Sequence, residues 1–176
     1  MMKEELRYKL KIKRRYFQGV RRQVADESIL YNFLAAYGEF ESFFIYNSFG
    51  DEADTANIIA ALLKAGKEVY LPRVEGENIV PVPYGKTVKG AFGIKEPEGQ
   101  AYAGVIDITV IPLLAINEKG YRIGYGKGFY DRFLKNNSTR KVGLGYSFQI
   151  ENFIEDEWDE PLDEFLTEKG IYGFGK

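Results

Sequence analysis

The stretch Arg122-Ile-Gly-Tyr-Gly-Lys-Gly-Phe-Tyr-Asp-Arg-Phe-Leu134 places glycines at 124, 126 and 128, after an apolar run that reads as a strand and before an amphipathic segment that reads as a helix. Glycines permit backbone turns that a Cβ forbids. A glycine loop entering a helix exposes unpaired N–H groups at the positive end of the helix dipole, which suits phosphate oxygens. Arg122 and Lys127 add cations and Asp131 adds a carboxylate, the set that nucleotide chemistry with Mg2+ uses. Neither common fingerprint is present. A P-loop needs Ser or Thr after its lysine, and Lys127 is followed by Gly128; the dinucleotide pattern spaces its last two glycines by three, and Gly126 and Gly128 are two apart. On the residues alone, a phosphate cradle and a strained structural turn both stay open.

Other chemistries are excluded by what the chain lacks. With no cysteine there are no disulfides, thiol nucleophiles or thiolate metal sites, and with no histidine there is no imidazole base, Ser-His-Asp triad or histidine zinc site. Chemistry must then rest on carboxylates, Lys, Arg, Tyr, backbone dipoles or a hard cation. The 176 residues suit one domain spanning 1–176, and 45% hydrophobic with 28% charged residues is an ordinary globular balance. A net charge of −2 argues against broad nucleic-acid binding, which favours basic domains. No apolar run reaches the roughly 18 residues of a membrane span, and MMKEELRYKLKIKRR lacks the apolar core of a secretory signal. The expectation is a cytoplasmic monomer with no membrane or nucleic-acid partner.

Taken in order, residues 3–24 read as one helix, with Leu6, Leu10, Phe17, Val20 and Val24 on its apolar side and Lys3, Arg7, Lys11 and Arg14 or Arg15 on a solvated basic side. Asp26 and Ser28 are cap candidates for a second helix running to about Tyr37. Residues 41–46 read as a buried strand. The loop 47–55 leads, through a cap at Asp54 or Thr55, into a helix with the face Ile58, Ile59, Leu62 and Leu63, and residues 67–71 are the next strand. Strand, helix and strand form a parallel unit whose ligands sit beyond the strand carboxyl ends, so the loop 47–54 is a site candidate. Residues 78–82 read as an edge strand, 92–97 as an ordered loop and 105–111 as the central strand, which feeds through 112–120 into the glycine loop. The helix after that loop ends near Asn136, and short strands follow at 141–145 and around Phe165. The fold class is α/β, a single three-layer domain with a mainly parallel central sheet.

With these motifs in hand the chain resembles the 5-formyltetrahydrofolate cyclo-ligase family from Lys3 to about Glu168. That family's glycine loop reads Arg-x-Gly-x-Gly-x-Gly-Tyr-Tyr-Asp, and Arg122 to Asp131 repeats it with Phe129 for the first Tyr. Leu71-Pro72-Arg73, Gly93 to Pro97, Leu166-Thr167-Glu168, the Asp-Glu-x-Asp-Thr loop and the amino-terminal Lys-x-x-x-Arg agree as well. The resemblance implies ATP- and Mg2+-dependent closure of 5-formyltetrahydrofolate to 5,10-methenyltetrahydrofolate, with ADP and phosphate released. It further implies ATP binding by Lys3, Arg7, Arg122, Gly124, Gly126, Lys127, Gly128, Phe129 and Tyr130, folate contacts by Glu52 and Asn47, and Mg2+ ligation by Asp131 and Asp159; Tyr125, at a position where the family varies, is expected to line the substrate pocket. Trp158 stands where the family has His before that last Asp.

Each role has a plainer competitor. Asp131 falls in a first helical turn, where a carboxylate suits the dipole anyway. Glu52 could do the same on its helix. Asp159 lies in a strongly acidic segment, and Lys3 and Arg7 could be surface cations. A nucleic-acid-binding module using the basic helix, and a sugar-phosphate or coenzyme A enzyme on a similar scaffold, are the rival functions.

Overall fold

Runs that are apolar on both faces must be covered on both sides, which dictates a sheet between two layers. The computed structural model of the chain describes residues 2–90 and 93–175. Along it run α1 (Lys3–Tyr16), α2 (Gly19–Tyr37), β1 (Ser42–Ile45), α3 (Ala56–Lys64), β2 (Glu68–Glu75) and β3 (Asn78–Pro83). A small pair follows, β4 (Thr87–Lys89) and β5 (Lys95–Pro97), then β6 (Ile108–Ile111), the ribbon β7 (Ala115–Ile116) and β8 (Arg122–Ile123), α4 (Phe129–Asn136), β9 (Arg140–Leu144), β10 (Glu164–Thr167) and β11 (Gly170–Gly173). Seven strands form one sheet in the order β11-β10-β9-β6-β1-β2-β3. Its inner pairs, β1 with β2, β1 with β6, β6 with β9 and β9 with β10, are parallel; β3 and β11 add antiparallel edges.

Strand side chains alternate between faces, and the core divides accordingly. Phe43, Ile45, Val69, Leu71, Ile108, Val110, Val142 and Leu144 pack with Ile29 and Phe33 of α2 and Ile58 and Leu62 of α3. On the opposite face Phe44, Tyr70, Ile111 and Phe165 pack with Phe133 and Leu134 of α4. Helix α1 joins neither layer. Its Leu6 and Leu10 bury against Leu114, Ala115 and Ile123 of the β7–β8 ribbon, which sets the cations of α1 beside the glycine loop. Chain order then places the pocket. From β1 the chain moves outward to β2 and β3, then returns to β6 on β1's other side, so β1 and β6 form a topological switch point with ligand space beyond their carboxyl ends.

Several local expectations are corrected. The single helix over 3–24 is two, because Phe17 leaves helical geometry (φ −87°, ψ 87°) to pack its ring on Tyr146 and Phe148, with centroids 4.7 and 5.3 Å away. Val20 and Val24 consequently face outward, 75% and 55% exposed, and Leu63 is also partly exposed. Asp26 and Ser28 lie inside α2 rather than at its start; the Asp26 carboxylate accepts from the Tyr146 hydroxyl at 2.7 Å and the Asp54 N–H at 3.3 Å. At α3, Asp54 accepts the Ala56 N–H, whereas the Thr55 hydroxyl turns to the Tyr46 carbonyl. The basic side of α1 is not simply solvated. Lys9 and Lys13 reach Glu151 at 2.8 and 3.7 Å, Lys3 reaches Asp156, and Arg14 is buried. Within the expected loop 92–97, Phe92 lies outside the described residues and Lys95–Pro97 is a strand paired with Thr87–Lys89. The link from β6 to the glycine loop is a ribbon, not a direct feed. Among the described residues no helix is long and apolar enough to cross a membrane.

Candidate active site

At the switch point lies a cavity of about 850 Å³, and its wall includes every residue assigned a role from the sequence: Lys3, Arg7, Asn47, Glu52, Arg122, Gly124 to Asp131, and Asp159. Their convergence follows from topology. The ribbon brings in the glycine loop and α1, while β1 delivers Asn47 and Glu52. Pro72, Val74, Ile79 and Phe129 supply apolar wall, and Trp158 and Asp159 enter from the acidic segment.

One half of the cavity gathers Arg122, Arg7, Lys127 and the glycine loop. Arg122, on β8, has its guanidinium almost wholly buried, 3.8 Å from Asp131 and 5.6 Å from the Tyr130 ring centre. Its Nη1 makes only a long contact of 3.5 Å to the Pro112 carbonyl, and its buried Nε has no hydrogen-bond partner. Burial pulls its pKa below the ordinary arginine value, opposed by Asp131, Tyr130 and Asp159. A buried cation with an unmet donor is costly unless an anion completes it. Gly124 explains why the guanidinium fits, since a Cβ there would collide with Arg122 Nη1. The Gly124 carbonyl accepts Arg7 Nε at 3.0 Å, tying α1 to the loop. Gly126 and Gly128 have φ of 94° and 71°, a region that L side chains rarely occupy, and Gly128 starts α4 with no side-chain cap on its first amides.

Two carboxylates flank this half. Asp131 lies in the first turn of α4, and the Asp159 carboxylate accepts from Lys3 Nζ at 3.1 Å and the Asp156 N–H at 2.9 Å. Although partial burial works against its charge, Lys3 is held protonated by Asp156 and Asp159. Among the described residues no three carboxylates converge into a protein-only metal cage. A pair suits Mg2+ that arrives with phosphate oxygens and keeps several waters.

The other half centres on Glu52. Its Oε1 accepts the Phe49 N–H at 2.8 Å and its Oε2 accepts the Tyr125 hydroxyl at 3.0 Å. Burial pushes its carboxyl pKa above the usual range, and the Phe49 N–H, Arg14 and Tyr125 pull it back. Arg22 of α2 donates to the Gly50 and Glu52 carbonyls, each at 3.0 Å, fixing the loop from behind. Arg14 was not singled out from the sequence. Its signal was its position: four residues after Leu10 and three before Phe17, it is a cation on the apolar stripe of the helix.

Residues 1–168 match the model of the 5-formyltetrahydrofolate cyclo-ligase family. The chain belongs to that family. Among similar proteins, the 5-formyltetrahydrofolate cyclo-ligase of Escherichia coli K12 is 33% identical over 142 residues, spanning 73% of this chain and 78% of its own. That of Haemophilus influenzae is 34% identical over 137 residues, spanning 70% and 73%. The solved structure of Aquifex aeolicus 5,10-methenyltetrahydrofolate synthetase superposes with a TM-score of 0.89 at 35% identity, covering 100% of this chain and 94% of its own. This cyclo-ligase family member is therefore an enzyme, and its mainly parallel α/β sheet is the fold of that synthetase.

Proposed function

We propose that this cyclo-ligase family member, as one domain spanning 1–176 and acting as a cytoplasmic monomer, uses ATP and Mg2+ to convert 5-formyltetrahydrofolate to 5,10-methenyltetrahydrofolate, releasing ADP and phosphate. The observation that carries the reading is the buried Arg122 guanidinium, with its unmet donor, set in the glycine loop and facing the same cavity as Glu52. An anion group and a group for N–H donors in one cavity suit joining a polyphosphate to a pterin.

The formyl oxygen of an amide is a very poor leaving group. Transfer of the γ-phosphoryl group to it forms an oxygen–phosphorus bond and breaks the bond to ADP, which leaves with its electron pair. N10 then attacks the activated carbon and gives up its proton, and departure of phosphate with the former formyl oxygen completes the ring. Little covalent work falls to the protein, which fits a chain without histidine or cysteine. Arg122, Lys127, Arg7 and the loop amides would hold the triphosphate, with Lys3, Phe129 and Tyr130 beside it. Glu52 would accept the pterin amino and ring N–H groups, with Asn47 and Tyr125 lining that end. Asp131 and Asp159 would hold Mg2+, which supplies charge neutralisation on the phosphates.

The nucleic-acid rival fits less well. Lys3, Lys9 and Lys13 are engaged by Asp156, Asp159 and Glu151, so α1 offers a poor basic surface for nucleic acid. Mixing the protein with ATP, Mg2+ and 5-formyltetrahydrofolate should raise the methenyl absorbance, and excess chelator should stop it. Product formation at an undiminished rate in chelator would contradict the metal requirement, and no product at all would contradict the reaction.

A separate expectation concerns Glu52→Gln. Loss of a charge-assisted hydrogen bond should weaken folate binding by about 1 to 3 kcal/mol and leave nucleotide affinity near normal. Calorimetry giving equal losses for both ligands would remove Glu52 from the folate end.

A further inference from the structure

We propose that Arg14 is the positioning residue for Glu52: acting through the Tyr125 hydroxyl and Asp51, it fixes where the Glu52 carboxylate points in the folate half of the cavity. The inference rests on the reading that Glu52 contacts folate. Its basis is a relay across three elements. Arg14 Nη2 donates to the Tyr125 hydroxyl at 2.9 Å, and that hydroxyl donates onward to Glu52 Oε2 at 3.0 Å. Arg14 also grips Asp51, the neighbour of Glu52, with Nε at 3.0 Å and Nη2 at 2.9 Å from Oδ1, and its Nη1 faces the Leu113 carbonyl at 3.4 Å. Its donors are thus directed at protein groups, which marks it as a support rather than a substrate contact.

A surface cation would not be built this way. Arg14 is 5% exposed on the apolar side of α1, and burying an arginine is unfavourable unless its partners are fixed. The planar fork meets that need by engaging Asp51 and Tyr125 together, which a lysine cannot reproduce. The relay also bridges the parts that form the pocket: α1, the loop after β1 and the glycine loop. Tyr125 can pass the constraint along because burial and the neighbouring Glu52 keep its phenol protonated.

Charge supplies a second consequence. Around the Glu52 carboxylate stand the Phe49 N–H and Asp51 from its own loop, Tyr46 at the end of β1, Arg14 from α1, Tyr125 from the glycine loop and Tyr130 from α4, while Arg22 of α2 reaches only the backbone carbonyl. Burial already raises the Glu52 pKa, and Arg14 is the cation that opposes it. Without Arg14 the carboxyl protonates at higher pH. Folate affinity would then begin to fall nearer neutrality as pH is lowered.

The test is calorimetry of Arg14→Met, Arg14→Lys, Glu52→Gln and the Arg14→Met/Glu52→Gln double variant, titrated with 5-formyltetrahydrofolate, and separately with a non-hydrolysable ATP analogue plus Mg2+, across a pH series. Arg14→Met should weaken folate binding about tenfold, the scale of one charge-assisted contact, and move its pH profile upward while sparing the nucleotide. Arg14→Lys should restore the pH profile but only part of the affinity. In the Glu52→Gln background, Arg14→Met should add little. Equal losses for both ligands with an unmoved pH profile would overturn the inference and leave Arg14 as scaffold. An impaired Glu52→Gln beside a normal Arg14→Met would overturn it alone, whereas a normal Glu52→Gln would take down the folate role of Glu52 and this inference with it. Should Arg14→Met fail to fold, Tyr125→Phe cuts the relay with Arg14 still on Asp51 and must weaken folate binding while sparing the nucleotide, with a smaller upward pH shift than loss of the Arg14 charge would give, or the inference fails.

Discussion

Replacing Arg122 by Met should weaken ATP binding by about 2 to 5 kcal/mol, roughly thirtyfold to several thousandfold, without lowering the melting temperature of the ligand-free protein. The two halves of this expectation have one cause. A buried guanidinium with an unpartnered Nε and an Asp131 oxygen as far as 3.8 Å away opposes folding, and an apolar side chain of similar length removes that opposition. On the proposed reading the cost would be recovered when a phosphate oxygen takes up the unmet Nε donor. Calorimetry with ATP and a melting curve on the same variant decide the matter. A lowered melting point beside unchanged ATP affinity would make Arg122 a structural cation.

Asp131→Asn should reduce kcat by about 10² to 10³, the range for removing one preorganised electrostatic contact, and should raise the Mg2+ concentration for half-maximal rate. If Asp131 served only the dipole of α4, the same near-isosteric change would cost roughly 0.3 to 1 kcal/mol of stability and leave turnover intact. Under either account the change also takes the nearest carboxylate from the buried Arg122 guanidinium 3.8 Å away, so some loss of ligand-free stability is expected both ways. The magnesium titration therefore separates the readings. An unchanged titration would leave Asp131 as a first-turn carboxylate and nothing more.

The central strands were legible because their reason is local. Residues 42–45 and 108–111 are apolar on both faces, with Ser42 and Thr109 the exceptions, and every one of them is buried, as a strand covered on both sides requires. The glycine loop was legible for a similar reason, as its spacing and cations lie in one short stretch. What stayed hidden depends on contacts distant in sequence. A three- and four-residue period continues through Phe17 to Val24, and nothing local tells that the Phe17 ring finds Tyr146, although Gly19, with φ 72°, was an available warning. The ribbon strands at 115–116 and 122–123 are too short to display alternation, yet they carry α1 to the pocket. Arg14 looked like one more cation in a basic run; only its place on the apolar stripe set it apart, and its partners Asp51 and Tyr125 come from two other segments.

In the proposed reaction the γ-phosphoryl group passes to the formyl oxygen of the substrate in this cavity. Turnover of 5-formyltetrahydrofolate carrying oxygen-18 in its formyl group, followed by mass analysis of the released phosphate, tests it most directly. The mechanism predicts that the label appears in inorganic phosphate, in step with ADP and methenyl product. Label recovered in water instead, with unlabelled phosphate, would contradict it.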